Sequence, residues 1–448
     1  MIVRTLLERL EQYSESTAII HNDTVLSYRD LSDLINKWLT KLNEEKIGPG
    51  AVTALIGDYS PDSIALIIAS ILNKQIIVPL TPLAETHFSE YLDLSRTQHV
   101  LDLRKGVCAF SMRDAEPRQN TILRELIEKE RPGLILFTSG SSGHPKAVAH
   151  DFIKLLSKYQ NAHKKYRTLC FLMFDHVAGI DTYFYSLYSG GMAVLPSSRN
   201  PADICSLIEK HKVEVLPTSP TFLNLLLLSE EYKKYDLSSL KIVTFGSERM
   251  PKAVLERLRR IFRDVRIIQK YGVTELGSPA SKSGETDSTW IRIDGAHFKT
   301  RIVNGVLHVK TDTAMLGYLN AESPFTEDGW FNTGDSVEVD GDYIRILGRE
   351  SEIINVGGEK VHPTEVENVI YEMENISEVV VYGEKNSIMG SIVCAKVSLL
   401  AEEEPDRFAI RLKQYCREKL PRYKVPVRVF VVNGALHTDR FKKRRQQE

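Results

Sequence analysis

Leu136-Phe137-Thr138-Ser139-Gly140-Ser141-Ser142-Gly143-His144-Pro145-Lys146 follows directly on the apolar pair Leu134 and Ile135. An apolar run of strand length that ends in small hydroxyl residues, two glycines, a proline and a lysine reads as a strand feeding a donor-rich loop. Gly140 and Gly143 let backbone N–H groups approach phosphate oxygens with no Cβ in the way. The hydroxyls of Thr138, Ser139, Ser141 and Ser142 add donors, and Lys146 adds a positive charge. The spacing disfavours a Walker loop, G-x-x-x-x-G-K-S/T, because Pro145 precedes the lysine and Ala147 follows it. An ordinary Gly/Ser surface turn has the same composition, so the remainder of the chain decides between the two.

Around this loop, runs of strand length alternate with helix-period segments: Val52–Gly57, then Asp62–Leu72, then Ile76–Pro79. That order predicts α/β layers with mainly parallel strands. Asp151 is a candidate N-cap for Phe152, Leu155, Leu156 and Tyr159, and Pro251 opens a segment whose Val254, Leu255, Leu258, Ile261 and Phe262 share a face. These stripes read as core. With 448 residues the chain is too long for one core, and a boundary falls near Gly348. From Glu350 onward a separate set of elements follows, including Glu378–Tyr382, Ile392–Ser398 and Phe408–Lys419. The expected domains are therefore 1–348 and 349–448.

The chain carries 58 Lys and Arg against 59 Asp and Glu, a balance that offers no bulk attraction to nucleic acid or to an anionic membrane. Five cysteines, widely spaced and without a C-x-x-C pair, argue against a disulfide framework or a zinc site and read as buried, reduced thiols in the cytoplasm. The N-terminus reads as an amphipathic helix rather than a signal peptide, and the longest apolar run, Ile64–Leu72, is too short to span a bilayer.

The loop at Leu136–Lys146 resembles the Thr-Ser-Gly-Ser/Thr-Thr-Gly-x-Pro-Lys-Gly loop of the AMP-forming acyl-adenylating superfamily. That superfamily includes acyl- and aryl-CoA ligases, nonribosomal peptide synthetase adenylation domains and firefly luciferase. Ser142 stands for the usual threonine and Ala147 for the usual glycine. Further motifs follow in order. Phe245-Gly246-Ser247-Glu248 resembles the segment along the adenine, and Tyr271-Gly272-Val273-Thr274-Glu275 is similar to the family's Tyr-Gly-x-Thr-Glu. In that motif the ring stacks on adenine, the glycine makes room for substrate, the threonine donates to the α-phosphate and the glutamate holds Mg²⁺. Asp335 matches the ribose carboxylate and Arg349 the ribose arginine, and Leu26–Leu31 resembles an early landmark. Thr438-Asp439-Arg440-Phe441-Lys442, with Arg445 three residues on, is similar to Thr-x-x-Gly-Lys-x-x-Arg, which makes Lys442 the catalytic lysine, with Phe441 in place of the glycine.

The resemblance implies a large N-terminal domain of mixed, mainly parallel sheets flanked by helices and a small mobile α+β C-terminal domain. One pose of the latter closes the lysine onto the adenylating site and the other presents a thiol tunnel. Gly357-Gly358 resembles the tunnel loop, and Ser351 stands at the hinge, where Asp or Lys is usual. The implied reaction uses ATP and Mg²⁺ to convert a small carboxylic acid to acyl-AMP, and then passes the acyl group to CoA or to the phosphopantetheine of an acyl carrier protein. For the acid, Met173-Phe174-Asp175-His176-Val177-Ala178-Gly179 offers two registers. An x-His-x-x-Gly pattern puts His176 beside the substrate, as in CoA ligases, and is the better match. A Phe-Asp pair would make Asp175 the carboxylate that holds an amino acid's ammonium, and a satisfied core histidine with a turn-capping aspartate is the bland reading. A free-standing amino-acid adenylating enzyme and a silent binding paralogue are the alternatives. The latter ranks last because Lys442, Thr274, Glu275 and Asp335 are all present.

Overall fold

The computed structural model describes residues 2–139, 144–160, 164–283, 289–294 and 297–443. Gly140, Ser141, Ser142 and Gly143, four of the expected phosphate-loop residues, lie outside the described residues, as does Arg445.

Two seven-stranded sheets carry the first half of the chain. One runs Gly317–Tyr318, Pro145–Asp151, Gly133–Ser139, Ile76–Leu80, Val52–Ile56, His99–Asp102 and Ala109–Met112, with a parallel centre and antiparallel edges. The other runs Arg266–Gln269, Ile242–Phe245, Val215–Thr218, Arg167–Leu169, Met192–Leu195, Thr17–His21 and Thr24–Ser27, parallel except for its last pair. Helix Pro61–Leu72 is capped by Ser60, opens on Pro61 and is apolar almost all round. A helix of that kind belongs between layers. Its Ile64, Leu66 and Ile67 share one core with Leu55 and Leu134 of the first sheet, Ile19 and Leu195 of the second, and Ile180 and Phe184 of helix Val177–Ser189.

The expected α/β alternation is therefore present, with ends shifted by a residue or two. The third sheet departs from the mainly parallel expectation: Ala280–Ser283, Ile291–Asp294, Tyr343–Arg349, Phe331–Asp340, Val306–Thr311 and Phe298–Val303 are antiparallel throughout. A fourth sheet draws every strand from Ile354 onward: Glu359–Val361, Ile354–Val356, Gly390–Leu399 and Ile376–Asn386, with Arg428–Val431 alongside Gly390–Leu399. It packs its own core with helices Pro363–Ile370 and Pro405–Lys419 through Val366, Ile370, Phe408 and Leu412. All five cysteines are free; four are buried, but Cys108 is only half-buried, a correction to the sequence reading. No helix among the described residues is long and apolar enough to cross a membrane.

Candidate active site

The opening stretch forms a hairpin: Gly133–Ser139 pairs antiparallel with Pro145–Asp151, setting Thr138 opposite Lys146 and Ser139 opposite Pro145. Lys146 thus sits on a strand, unlike a Walker lysine. Its ammonium lies 4.9 Å from the centroid of the Tyr318 ring, and the Tyr318 hydroxyl donates to Glu275 Oε1 at 2.8 Å. Glu275 Oε2 has no partner among the described residues. A single open carboxylate oxygen fits Mg²⁺, which takes one or two carboxylates and completes its shell with phosphates and water. Behind Glu275, the buried His150 engages the Thr274 carbonyl through Nε2 at 2.8 Å. Burial lowers the His150 pKa to about 4, so the ring is neutral and Nε2–H donates.

The Tyr271 hydroxyl donates to Asp335 Oδ2 at 2.8 Å, and Arg349 Nε stands 3.6 Å from Asp335 Oδ1. The Thr333 hydroxyl accepts from the Asp335 amide at 3.0 Å and fixes the backbone there. Burial raises the Asp335 pKa, opposed by the Arg349 charge and by the Tyr271 hydrogen bond. Gly246 is needed where it stands, because a Cβ would meet the Lys270 carbonyl at 2.9 Å, and Ser247 takes a left-handed φ of 63°. Gly272 is nearly as confined, at 3.0 Å from Ser278 Oγ.

Helix Val177–Ser189 takes His176 as its N-cap residue, and Gly179 fits only as glycine: a Cβ would lie 2.0 Å from the Met173 carbonyl oxygen. This close approach holds Asp175 and His176 at the helix start. Asp175, 6 % exposed, accepts from the Thr81 hydroxyl at 2.7 Å and from Arg440 Nη2 at 2.7 Å, both on Oδ2. Arg440 Nη1 lies 2.6 Å from His176 Nε2. Burial, then Lys442 and Arg440, lower the His176 pKa to about 3 against the pull of Asp175, so the ring is neutral. Burial works to raise the Asp175 carboxyl, but His176, the Arg440 guanidinium and the Thr81 hydroxyl outweigh it and hold it below the usual carboxylate range.

Arg440 arrives on a tight turn. The Thr438 amide donates to the Lys442 carbonyl and the Phe441 amide to the Thr438 carbonyl, each at 2.8 Å. Phe441, in the family's glycine place, keeps a left-handed φ of 53°. Its ring stands 5.4 Å from Phe171 and 5.5 Å from Phe222, and its carbonyl accepts from the Ser219 hydroxyl at 2.9 Å. Glu248 accepts from the Thr221 hydroxyl at 2.6 Å and from the Lys443 amide. Lys442 is half-buried, with no ion-pair partner among the described residues. Burial lowers its pKa, modulated by Glu248, Arg440, Asp175 and Arg349, which brings the last turn, the start of helix Val177–Ser189 and Arg349 into one electrostatic neighbourhood. Gly357 and Gly358 stand apart: with φ of 60° and 93° they make the exposed two-residue turn between Ile354–Val356 and Glu359–Val361. Ser351 is exposed in the single turn Glu350–Glu352 that leaves Arg349.

The family model described as AMP-binding enzyme matches residues 6–319, and that of the AMP-binding enzyme C-terminal domain matches residues 365–442. The chain belongs to the AMP-forming acyl-adenylating superfamily. This adenylating enzyme is 27 % identical over 466 residues to an indoleacetate–CoA ligase of Aromatoleum aromaticum, covering 92 % of this chain and 90 % of the relative. It is 25 % identical to a 2-succinylbenzoate–CoA ligase of Listeria monocytogenes, covering 98 % of each. Its fold superposes with a TM-score of 0.80 on an anthranilate CoA ligase solved with anthranoyl-AMP, at 20 % identity and covering 96 % and 93 % of the two chains.

Four residues of the adenylating enzyme's candidate site escape sequence reasoning. Thr81 and Tyr318 sit in no motif, His150 looks like any strand residue, and Arg440 falls on an unspecified position of the lysine motif. Each is found through a contact with a motif residue, across 94 positions for Thr81–Asp175 and 265 for Arg440–Asp175.

Proposed function

We infer that the chain activates a carboxylic acid with ATP, forming acyl-AMP and releasing pyrophosphate, and then transfers the acyl group to the thiol of CoA. A carboxylate is a poor acyl donor because its leaving group would be oxide. When one carboxylate oxygen attacks the α-phosphorus, the bond to pyrophosphate breaks and that oxygen becomes part of AMP. Sulfur then bonds to the acyl carbon as AMP departs, and the thiol proton goes to solvent. The observation that carries the reading is Lys442, a lysine near the C-terminus whose ammonium has no ion-pair partner among the described residues, set amid Asp175, His176 and Glu248 of the large domain and Arg349 at the boundary. An unpaired cation there suits the charge that builds up on the acid and phosphate oxygens.

In this reading Thr138, Ser139 and Lys146 hold the β- and γ-phosphates with the loop between them, and Thr274 contacts the α-phosphate. Tyr271, Gly246, Ser247 and Glu248 border the adenine, and Asp335 with Arg349 takes the ribose. Glu275 holds Mg²⁺, which neutralises phosphate charge when bound. The chain divides near Gly348, supported by the separate sheet and core from Ile354 onward. Ser351 serves as the hinge. The pose is read as the adenylating one, since Lys442 interacts electrostatically with His176 and Asp175 while Gly357 and Gly358, proposed for the thiol tunnel, are exposed.

The acid lies beside His176 and Gly272. Its class is read as aromatic, because the two curated relatives named above act on indoleacetate and 2-succinylbenzoate, and because Tyr91 stacks on Phe137 at 3.9 Å near Asp175 and Arg440. Amino-acid activation is the weaker reading, because Asp175 is already paired with Arg440. An acyl carrier protein is the alternative acceptor. The deciding experiment incubates the enzyme with ATP, Mg²⁺ and a panel of aromatic, aliphatic and amino acids, with and without CoA, and detects products by mass. Acyl-AMP without CoA and acyl-CoA with it are expected. An amino acid turned over in preference to every other acid, with the activity abolished by Asp175→Ala, would install the other reading.

A further inference from the structure

Arg440 is not part of the lysine motif's fixed positions, yet it makes the most direct contact between the C-terminal turn and the acid pocket. We propose that Arg440 is a specificity-determining residue for the acid: carried in with Lys442, it cancels the charge of Asp175 and sets His176 as an Nδ1–H donor, so the pocket accepts a carboxylate only when the C-terminal turn is seated. The inference rests on the reading of the His176 pocket as the acid site.

Charge carries the first half of the argument. Asp175 is 6 % exposed, and its contacts among the described residues are the Thr81 hydroxyl and Arg440, both on Oδ2, while Oδ1 has no partner among them. Thr81 brings no charge, so without Arg440 the pocket contains an uncompensated buried carboxylate. Such a group repels a second carboxylate, and it does so strongly where water is excluded. With the turn seated, the guanidinium, 22 % exposed on its side chain, neutralises Asp175, and Lys442 leaves the neighbourhood positive. The sign of the pocket therefore reverses on closure.

Hydrogen-bond chemistry carries the second half. A guanidinium has donors and no acceptor, so the 2.6 Å contact requires His176 Nε2 to accept from Arg440 Nη1. The ring proton is then on Nδ1, which has no partner among the described residues. An N–H held in that tautomer is a donor for an incoming carboxylate oxygen. Arg440 touches Asp175 and His176 at once, so a single side chain sets both properties.

The test separates the two half-reactions in the full chain, using indole-3-acetate, benzoate and decanoate as probes. Acid-dependent pyrophosphate exchange reports adenylation, and CoA-dependent consumption of supplied acyl-AMP reports thiolysis. Arg440→Ala is expected to raise KM for the acid by ~10-fold or more, the scale of a lost charge-pair contact, with KM for ATP changed by less than about twofold and thiolysis retained. Arg440→Lys, which keeps charge but not the forked geometry, should fall between. Asp175→Asn added to Arg440→Ala removes the repulsion and should recover most of the lost affinity for the acid, a rescue that a merely structural arginine would not allow. The proposal is overturned if the double variant is no better than Arg440→Ala, if KM for ATP rises in parallel, or if thiolysis falls equally. Wild-type exchange that ignores every acid would instead overturn the functional reading itself.

Discussion

At the scale of single residues, the site depends on groups whose protonation is set by burial. In the proposed adenylation Lys442 acts in its charged form on the developing negative charge, and burial lowers its pKa from the ordinary 10.5. Its protonated fraction falls as pH rises through that lowered value, so adenylation should decline on the alkaline side at a lower pH than an exposed lysine would titrate. Lys442→Ala is expected to slow acid-dependent pyrophosphate exchange by ~10²–10³-fold, the scale of one lost transition-state donor. Thiolysis of supplied acyl-AMP should persist. Equal loss in both assays would remove Lys442 from the adenylating role. His150 gives a stability prediction. Its folded pKa of about 4 lies below the ordinary histidine value of 6.5, so the folded state binds fewer protons in that window. The stabilisation from the neutral ring is complete above the upper value and is lost as pH falls toward the lower, by up to about 3 kcal/mol. Thermal unfolding from pH 7 to 4.5 checks this. His150→Gln, which keeps a donor to the Thr274 carbonyl but does not titrate, should flatten the profile.

At the scale of elements, Gly179 decides how helix Val177–Ser189 meets the strand end before it. Because an added Cβ would sit 2.0 Å from a backbone carbonyl that has nowhere to go, Gly179→Ala is expected to cost about 3 kcal/mol or more. Loss of acid-dependent exchange should accompany the drop in melting temperature, and a variant with wild-type melting and activity would refute the packing argument. Elements of this kind were legible in sequence where the signal was local. Ser60 and Pro61 announce the start of the central helix, and the apolar run before Thr138 announces its strand. The antiparallel third sheet was not legible, since strands such as Phe298–Val303 leave Ile302 and Val303 partly exposed and mark no clear alternation. The residues that complete the site were hidden for another reason. Arg440 and Thr81 are 359 positions apart, and pairing at that distance leaves no trace in spacing or composition.

At the scale of the whole molecule, the C-terminal part meets the large one through polar contacts and through the ring of Phe441, among others. Besides that ring, Asn224 Nδ2 donates to the Ser377 carbonyl at 2.9 Å, the Lys443 amide meets Glu248, and Arg249 reaches Thr364. Phe441 occupies a left-handed turn position where an L side chain costs ~1–2 kcal/mol and glycine costs nothing. Lodging the ring between Phe171 and Phe222 offsets that strain, since burying a phenylalanine contributes up to about 3 kcal/mol. The two terms separate in a short series. Phe441→Ala loses the ring and keeps the strain, whereas Phe441→Gly loses both. Adenylation should therefore rank wild type first, Phe441→Gly second and Phe441→Ala last, with steps of several-fold, about what 1 kcal/mol produces. Thiolysis of supplied acyl-AMP, which in the proposed two-pose cycle requires the turn to leave, should not fall in either variant. Glycine below alanine would mean that freedom of the turn, rather than strain, governs closure. Equal rates for all three would mean that the Phe171–Phe222 cleft does not hold the adenylating pose.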